Sequence, residues 1–156
     1  LGADFAICPD NTIHQAFRLV APESPLPWLH IGEAVAAEAR QRGFHRLGIT
    51  GTKYLMTGSV YPETLGKRGI ACEIPGRQER ERIDAIIFDE LVKGLFPAAS
   101  RLYLNEVIGA LKQRGCDAVV LGCTELPLLV DPSDCPLPAL DSTRLLARAA
   151  LRHTLS

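Results

Sequence analysis

Short apolar runs alternate with helix-period stripes along this chain. Residues 3–8 read as a strand running through Phe5-Ala6-Ile7-Cys8, and residues 12–20 as a helix. Residues 28–31 form a short apolar connection after Pro22-Glu23-Ser24-Pro25-Leu26-Pro27, and that proline cluster is the expected lobe boundary. Over residues 31–42 the apolar positions Ile31, Val35 and Ala39 recur at helical spacing, and Gly43 closes the stripe. Residues 46–50 predict a strand that ends in the polar turn Gly51-Thr52. A helix over 59–68 stops at Gly69, and a strand over 70–74 follows. The long helix predicted over 77–95 carries Ile83, Ile86, Ile87, Leu91 and Leu95 on one side, and the helix over 101–114 closes at Gly115. Strands over 117–121 and 137–140 and a helix over 142–153 complete the pattern. This order predicts an α/β fold, with a mostly parallel sheet wrapped by helices.

Polar residues gather where the predicted strands end, which is where open parallel sheets bind ligands. The buried run Val119-Val120-Leu121 passes into Gly122-Cys123-Thr124-Glu125, so a thiol, a hydroxyl and a carboxylate follow one another directly. A lone cysteine there reads as a small packing residue; its polar neighbours favour chemistry. The first strand ends in Cys8-Pro9-Asp10-Asn11-Thr12-Ile13-His14. Asn11 and Thr12 suit a helix cap, and the same backbone N–H groups suit a carboxylate. Gly51-Thr52-Lys53 adds a hydroxyl and a cation at a third strand end.

Composition narrows the choice of partner. With 156 residues, 47% hydrophobic and 22% charged, the chain can build a substantial core. A formal net charge of -1 and the lack of a basic stripe argue against nucleic acid. No apolar run approaches the roughly 20 residues of a membrane span and no signal-peptide order opens the chain, so a cytoplasmic protein without a membrane partner is expected. Five cysteines without a C-x-x-C pair argue against a disulfide framework and against a zinc or other metal site. The opening Leu1-Gly2-Ala3-Asp4 has no methionine and runs at once into a strand, so an N-terminal truncation is expected.

Asp10-Asn11-Thr12-Ile13-His14 and Gly122-Cys123-Thr124-Glu125-Leu126 resemble the two signature motifs of the aspartate/glutamate racemase superfamily. Leu29-His30-Ile31, Gly51-Thr52-Lys53-Tyr54-Leu55-Met56 and Leu140-Asp141-Ser142-Thr143 extend the similarity over nearly the whole chain. The resemblance implies two pseudo-symmetric parallel-sheet lobes with a cleft between them, the first lobe incomplete. On that scheme residues 1–28 are the remainder of the N-terminal lobe, 29–125 the second lobe, and 126–156 a segment returning to the first. The implied activity is cofactor-independent racemisation or epimerisation of a small acidic amino acid. An amino acid or dicarboxylate is the implied partner, and assembly into a homo-oligomer is left open. Asp10 and Cys123 stand at the catalytic positions. Asn11, Thr12, Thr52 and Thr124 match carboxylate-binding positions, Lys93 the cation for a distal carboxylate, and Glu125 a supporting acid.

The chemistry demands a proton taken from one face of Cα and returned to the other. A thiol suits it because its pKa, about 8.5, lies near working pH. Hydroxyls and N–H groups grip the carboxylate onto which charge spreads. Family members of the standard kind carry cysteine where this chain has Asp10. Cys8 stands one strand repeat too far back, ~7 Å. Asp10 therefore reads as a second base, as an ammonium-binding group or as a helix cap. Decarboxylation or cis–trans isomerisation by the single thiol Cys123 is the alternative activity, and a non-catalytic binding homologue the third reading. His14, Cys72, Cys116 and Cys135 read as structural.

Overall fold

The computed structural model describes residues 2–155; Leu1, the first residue of the expected truncated opening, lies outside the described residues. Strand β1 (Ala6–Ile7) leads through a 3-10 turn (Thr12–Ala16) into helix α1 (Phe17–Val20), a second 3-10 turn and strand β2 (Trp28–Leu29). β1 and β2 pair in parallel, Ala6 with Trp28 and Ile7 with Leu29. The expected apolar connection at 28–31 is thus a strand. Two residues are too few to display an alternation, and only the partner across the ladder reveals them.

Helix α2 (Ile31–Gln41), strand β3 (Arg46–Thr50), helices α3 (Lys53–Met56) and α4 (Val60–Gly66) and strand β4 (Ala71–Glu73) follow. Helices α5 (Arg77–Asp89) and α6 (Ala98–Gln113), strand β5 (Ala118–Leu121), helix α7 (Leu126–Leu129), strand β6 (Ala139–Asp141) and helix α8 (Ser142–Thr154) complete the chain. β3 to β6 form a four-stranded sheet in the order β4-β3-β5-β6, parallel throughout. Such crossover connections need helices on both faces, and the burial follows that demand.

The four residues of β5 are all buried and divide by parity between the faces. Val119 and Leu121 pack with Ile83, Ile87, Leu104, Ile108 and Leu111 of α5 and α6. Ala118 and Val120 pack with Leu47, Ile49, Val35, Tyr61, Leu65 and Leu145 on the side of α2, α4 and α8. Strand side chains alternate sides, so this one run serves two cores.

The long helix predicted over 77–95 ends at Asp89. Glu90 leaves helical geometry at φ -121°, ψ -66°, a 3-10 turn spans Leu91–Lys93, and Gly94 takes φ 75°. Leu91 remains 2% exposed, so the apolar stripe runs on across the break and conceals it. Residues 126–156, expected to return to the first lobe, first extend the second sheet through β6. α8 then packs along α2 and touches β2. Near its end the His153 ring meets Phe5 edge-on at 4.9 Å. Among the described residues no helix is long and apolar enough to cross a membrane.

Candidate active site

The central strands β3 and β5 end in register, Thr50 opposite Leu121, and their glycines bring the following loops into contact. Gly122 N–H donates to the Thr50 carbonyl at 2.8 Å. A Cβ on Gly51 would stand 3.1 Å from the Gly122 carbonyl oxygen, closer than ordinary packing tolerates. Thr52 and Cys123 follow this junction and line one cleft. The turn after β1 brings in the first motif, with Thr12 Oγ1 3.2 Å from Thr52 Oγ1. Together they enclose a cleft of about 340 Å³. Asp10, Asn11, Thr12, Thr52, Cys123, Thr124 and Glu125 supply its polar lining; Ile87, Phe88 and Val92 line it from the apolar side.

Cys123 Sγ–H donates to Glu125 Oε2 at 2.9 Å, and the Thr124 hydroxyl donates to the same oxygen at 2.7 Å. Burial pushes the Cys123 thiol up to about 12; the Glu125 hydrogen bond and then the negative charges of Glu125 and Asp10 add to the effect. Burial alone would raise Glu125 as well, but the hydrogen bonds from Cys123 and Thr124 hold its carboxyl below the usual range. At neutral pH the pair is therefore a protonated thiol on an ionised carboxylate.

Asp10 is exposed, and its Oδ1 accepts a hydrogen bond from Ile13 N–H at 2.9 Å, so it caps the first turn while lining the cleft. Thr52 also caps, accepting from Leu55 N–H at 3.3 Å. Lys53 is held on Asp84, through its N–H at 2.8 Å and its ammonium at 3.5 Å. Lys93 sits exposed in the turn one residue after Val92, outside the cleft lining. Asn11 is 3% exposed, and both ends of its amide are bonded inside the protein. Tyr61 O–H donates to its Oδ1 at 2.6 Å, and its Nδ2 donates to Ser142 Oγ at 2.9 Å.

Two histidines brace the first motif. His14 Nδ1 lies 2.7 Å from the Asp10 carbonyl, and Ile31 N–H donates to His14 Nε2 at 3.3 Å. Only the neutral Nδ1–H tautomer serves both bonds. His30 caps α2 by accepting from Gly32 N–H at 3.1 Å. Burial lowers His14, and burial with the neighbouring His14 pushes His30 down to about 4. Both rings are neutral in the fold and protonate more readily in the unfolded chain. Stability from this pair is therefore complete above about pH 6.5, the ordinary histidine value, and is lost as the pH falls toward about 4. His30→Asn keeps a capping oxygen without the titration. Urea midpoints at pH 7 and pH 5 should fall further for the parent chain than for this variant.

Sequence reading brought together the polar lining but missed Tyr61, Ser142 and Asp84 as supports. Ser142 lies in the Leu140-Asp141-Ser142-Thr143 match, which is a usable signal. Tyr61 looks like any apolar residue on its helix.

This architecture, with polar motifs at the ends of parallel strands around one cleft, has relatives of known fold. The chain belongs to the Asp/Glu/Hydantoin racemase family, whose sequence profile matches residues 1–150. It is 34% identical to a Yersinia pestis protein provisionally designated an Asp/Glu racemase, at a TM-score of 0.92, covering 99% of this chain and 68% of that one. The aspartate racemase homologue of Pyrococcus horikoshii OT3 matches at 31% identity and a TM-score of 0.89, with the same coverage of 99% and 68%. Glutamate racemase of Desulforudis audaxviator is 26% identical over 132 residues, 83% of this chain. The chain spans 47% of that relative's length.

Proposed function

We propose that the protein acts as a cofactor-independent racemase or epimerase of a small amino acid, working from a cleft that Asp10 and Cys123 share. The observation that carries the reading is the Cys123–Glu125 pair, a thiol bonded to a carboxylate in the same cleft as Asp10. The Asp10 side chain takes the α-proton from its side of the substrate, and the Cys123 thiol delivers a proton from the other. The breaking bond is Cα–H on one face and the forming bond Cα–H on the opposite one. Asp10 ends protonated and Cys123 ends as thiolate, which is the state that runs the reverse reaction. Thr12, Thr52 and Thr124 hold the α-carboxylate while charge develops on it. Family membership supports an amino-acid substrate, and aspartate and glutamate, named for relatives, are the first candidates. Lys93 follows the cleft-lining Val92 directly, and its ammonium is the proposed partner for a side-chain carboxylate that extends beyond the lining.

The test is solvent exchange. In D2O, L-aspartate or L-glutamate should lose its α-proton signal at the rate at which optical rotation decays; no exchange with either amino acid sinks the proposal.

One observation favours a second reading, a lyase or isomerase in which Cys123 works alone: Asp10 is exposed and already capping Ile13. Asp10→Asn separates the two, because the amide oxygen keeps the cap and removes the base. Racemisation should fall at least about a hundredfold, the scale of one acid–base group. Under the single-thiol scheme the parent chain turns over a related dicarboxylate without racemising an amino acid, and Asp10→Asn keeps at least about half of that turnover.

A further inference from the structure

Asn11 lines the cleft, yet its amide oxygen and its amide nitrogen each make a buried hydrogen bond to another part of the protein. Tyr61 O–H donates to Asn11 Oδ1 at 2.6 Å, Asn11 Nδ2 donates to Ser142 Oγ at 2.9 Å, and Ser142 O–H donates to the Leu121 carbonyl at 2.9 Å. Each of the four residues is at most 3% exposed. The chain of bonds starts on α4, crosses the first motif and ends on the residue before Gly122-Cys123. It joins the loop that carries Asp10 and Thr12 to the strand end that carries the thiol.

We infer that Tyr61 and Ser142 are positioning residues whose hydroxyls, acting through Asn11, fix the distance and angle between the two halves of the cleft. On this assignment Asn11 is a strut, and the carboxylate is gripped by the hydroxyls on either side of it. The inference rests on the proposed carboxylate-binding cleft, though not on turnover. Deleting either hydroxyl leaves a buried polar partner unpaired, and the local relaxation moves one motif against the other. Proton transfer is steeply sensitive to such displacement, since about 1 Å of misplacement can cost 10²-fold.

Tyr61→Phe and Ser142→Ala each remove one hydroxyl and add no atom. Two measurements read the geometry. The first is the rate of Cys123 alkylation, followed by peptide mass spectrometry, by iodoacetate relative to iodoacetamide. Only iodoacetate carries a carboxylate for Thr12, Thr52 and Thr124 to align, so the ratio reports whether the two motifs still face one site. It should fall at least about fivefold in both variants, under conditions where circular dichroism shows them folded. The second is the split of kinetic constants for α-proton exchange: kcat should fall more than about tenfold while KM stays within about threefold. An unchanged ratio with unchanged kcat in folded variants overturns the assignment. If the parent chain exchanges no amino acid, the racemase reading fails, and the alkylation ratio alone decides for or against the strut.

Discussion

Cys123→Ser is expected to abolish α-proton exchange, by at least about 10³-fold, with almost no change in folding. A serine hydroxyl is far less acidic than a thiol and far less able to accept a carbon-bound proton near neutral pH. The replacement is otherwise close to isosteric, and its hydroxyl can still donate to Glu125 Oε2, where the thiol now does at 2.9 Å. Loss of rate with an unchanged urea midpoint assigns the effect to proton transfer. Exchange surviving at a tenth of the parent rate or better would remove Cys123 from the chemistry. The measurement is the α-proton signal in D2O, with the midpoint taken on the same preparation.

Gly122→Ala should give the largest loss of stability, about 2–4 kcal/mol. The added Cβ would overlap the Leu55 side chain and lie 2.8 Å from the Thr50 carbonyl oxygen, the acceptor of the Gly122 N–H bond. Leu55 is 1% exposed in the core against β3, and the end of β3 at Thr50 is fixed by its pairing with Leu121 of β5. Overpacking costs about 1–3 kcal/mol and a weakened backbone hydrogen bond about 1 more. For a domain stable by about 5–15 kcal/mol, that is a large share. Urea unfolding should show the midpoint drop with the slope m unchanged. A midpoint within experimental scatter of the parent would mean the strand ends part without cost.

The sequence exposes those features whose cause is local. α2 and α8 are readable because their apolar periodicity is long enough to count, β3 and β5 because they are short buried runs, and the clustered strand ends because small polar residues interrupt such runs. β2 is hidden, since a two-residue strand has no periodicity and exists only through Ala6 and Ile7. The break at Glu90 is hidden because Leu91 keeps the helical stripe. In the site, Cys123 and Glu125 stand out in sequence as neighbouring polar residues after an apolar run, while the hydrogen bond between them is visible only in the fold. The internal commitment of Asn11 could not be foreseen, because its partners Tyr61 and Ser142 are 50 and 131 residues away along the chain.

The parity of β5 bears on how this site can change. Cys123 packs against the same core as Val119 and Leu121, which places the thiol in phase with the odd-numbered face. Substitutions at residue 123 alter the reactive group without disturbing that phase. Inserting or deleting one residue between Leu121 and Cys123 would instead rotate the thiol toward the opposite layer and bring Gly122 or Thr124 to its place. In this chain, then, the reactive group can be exchanged at a fixed residue count, while the count itself is the part a designer must leave alone.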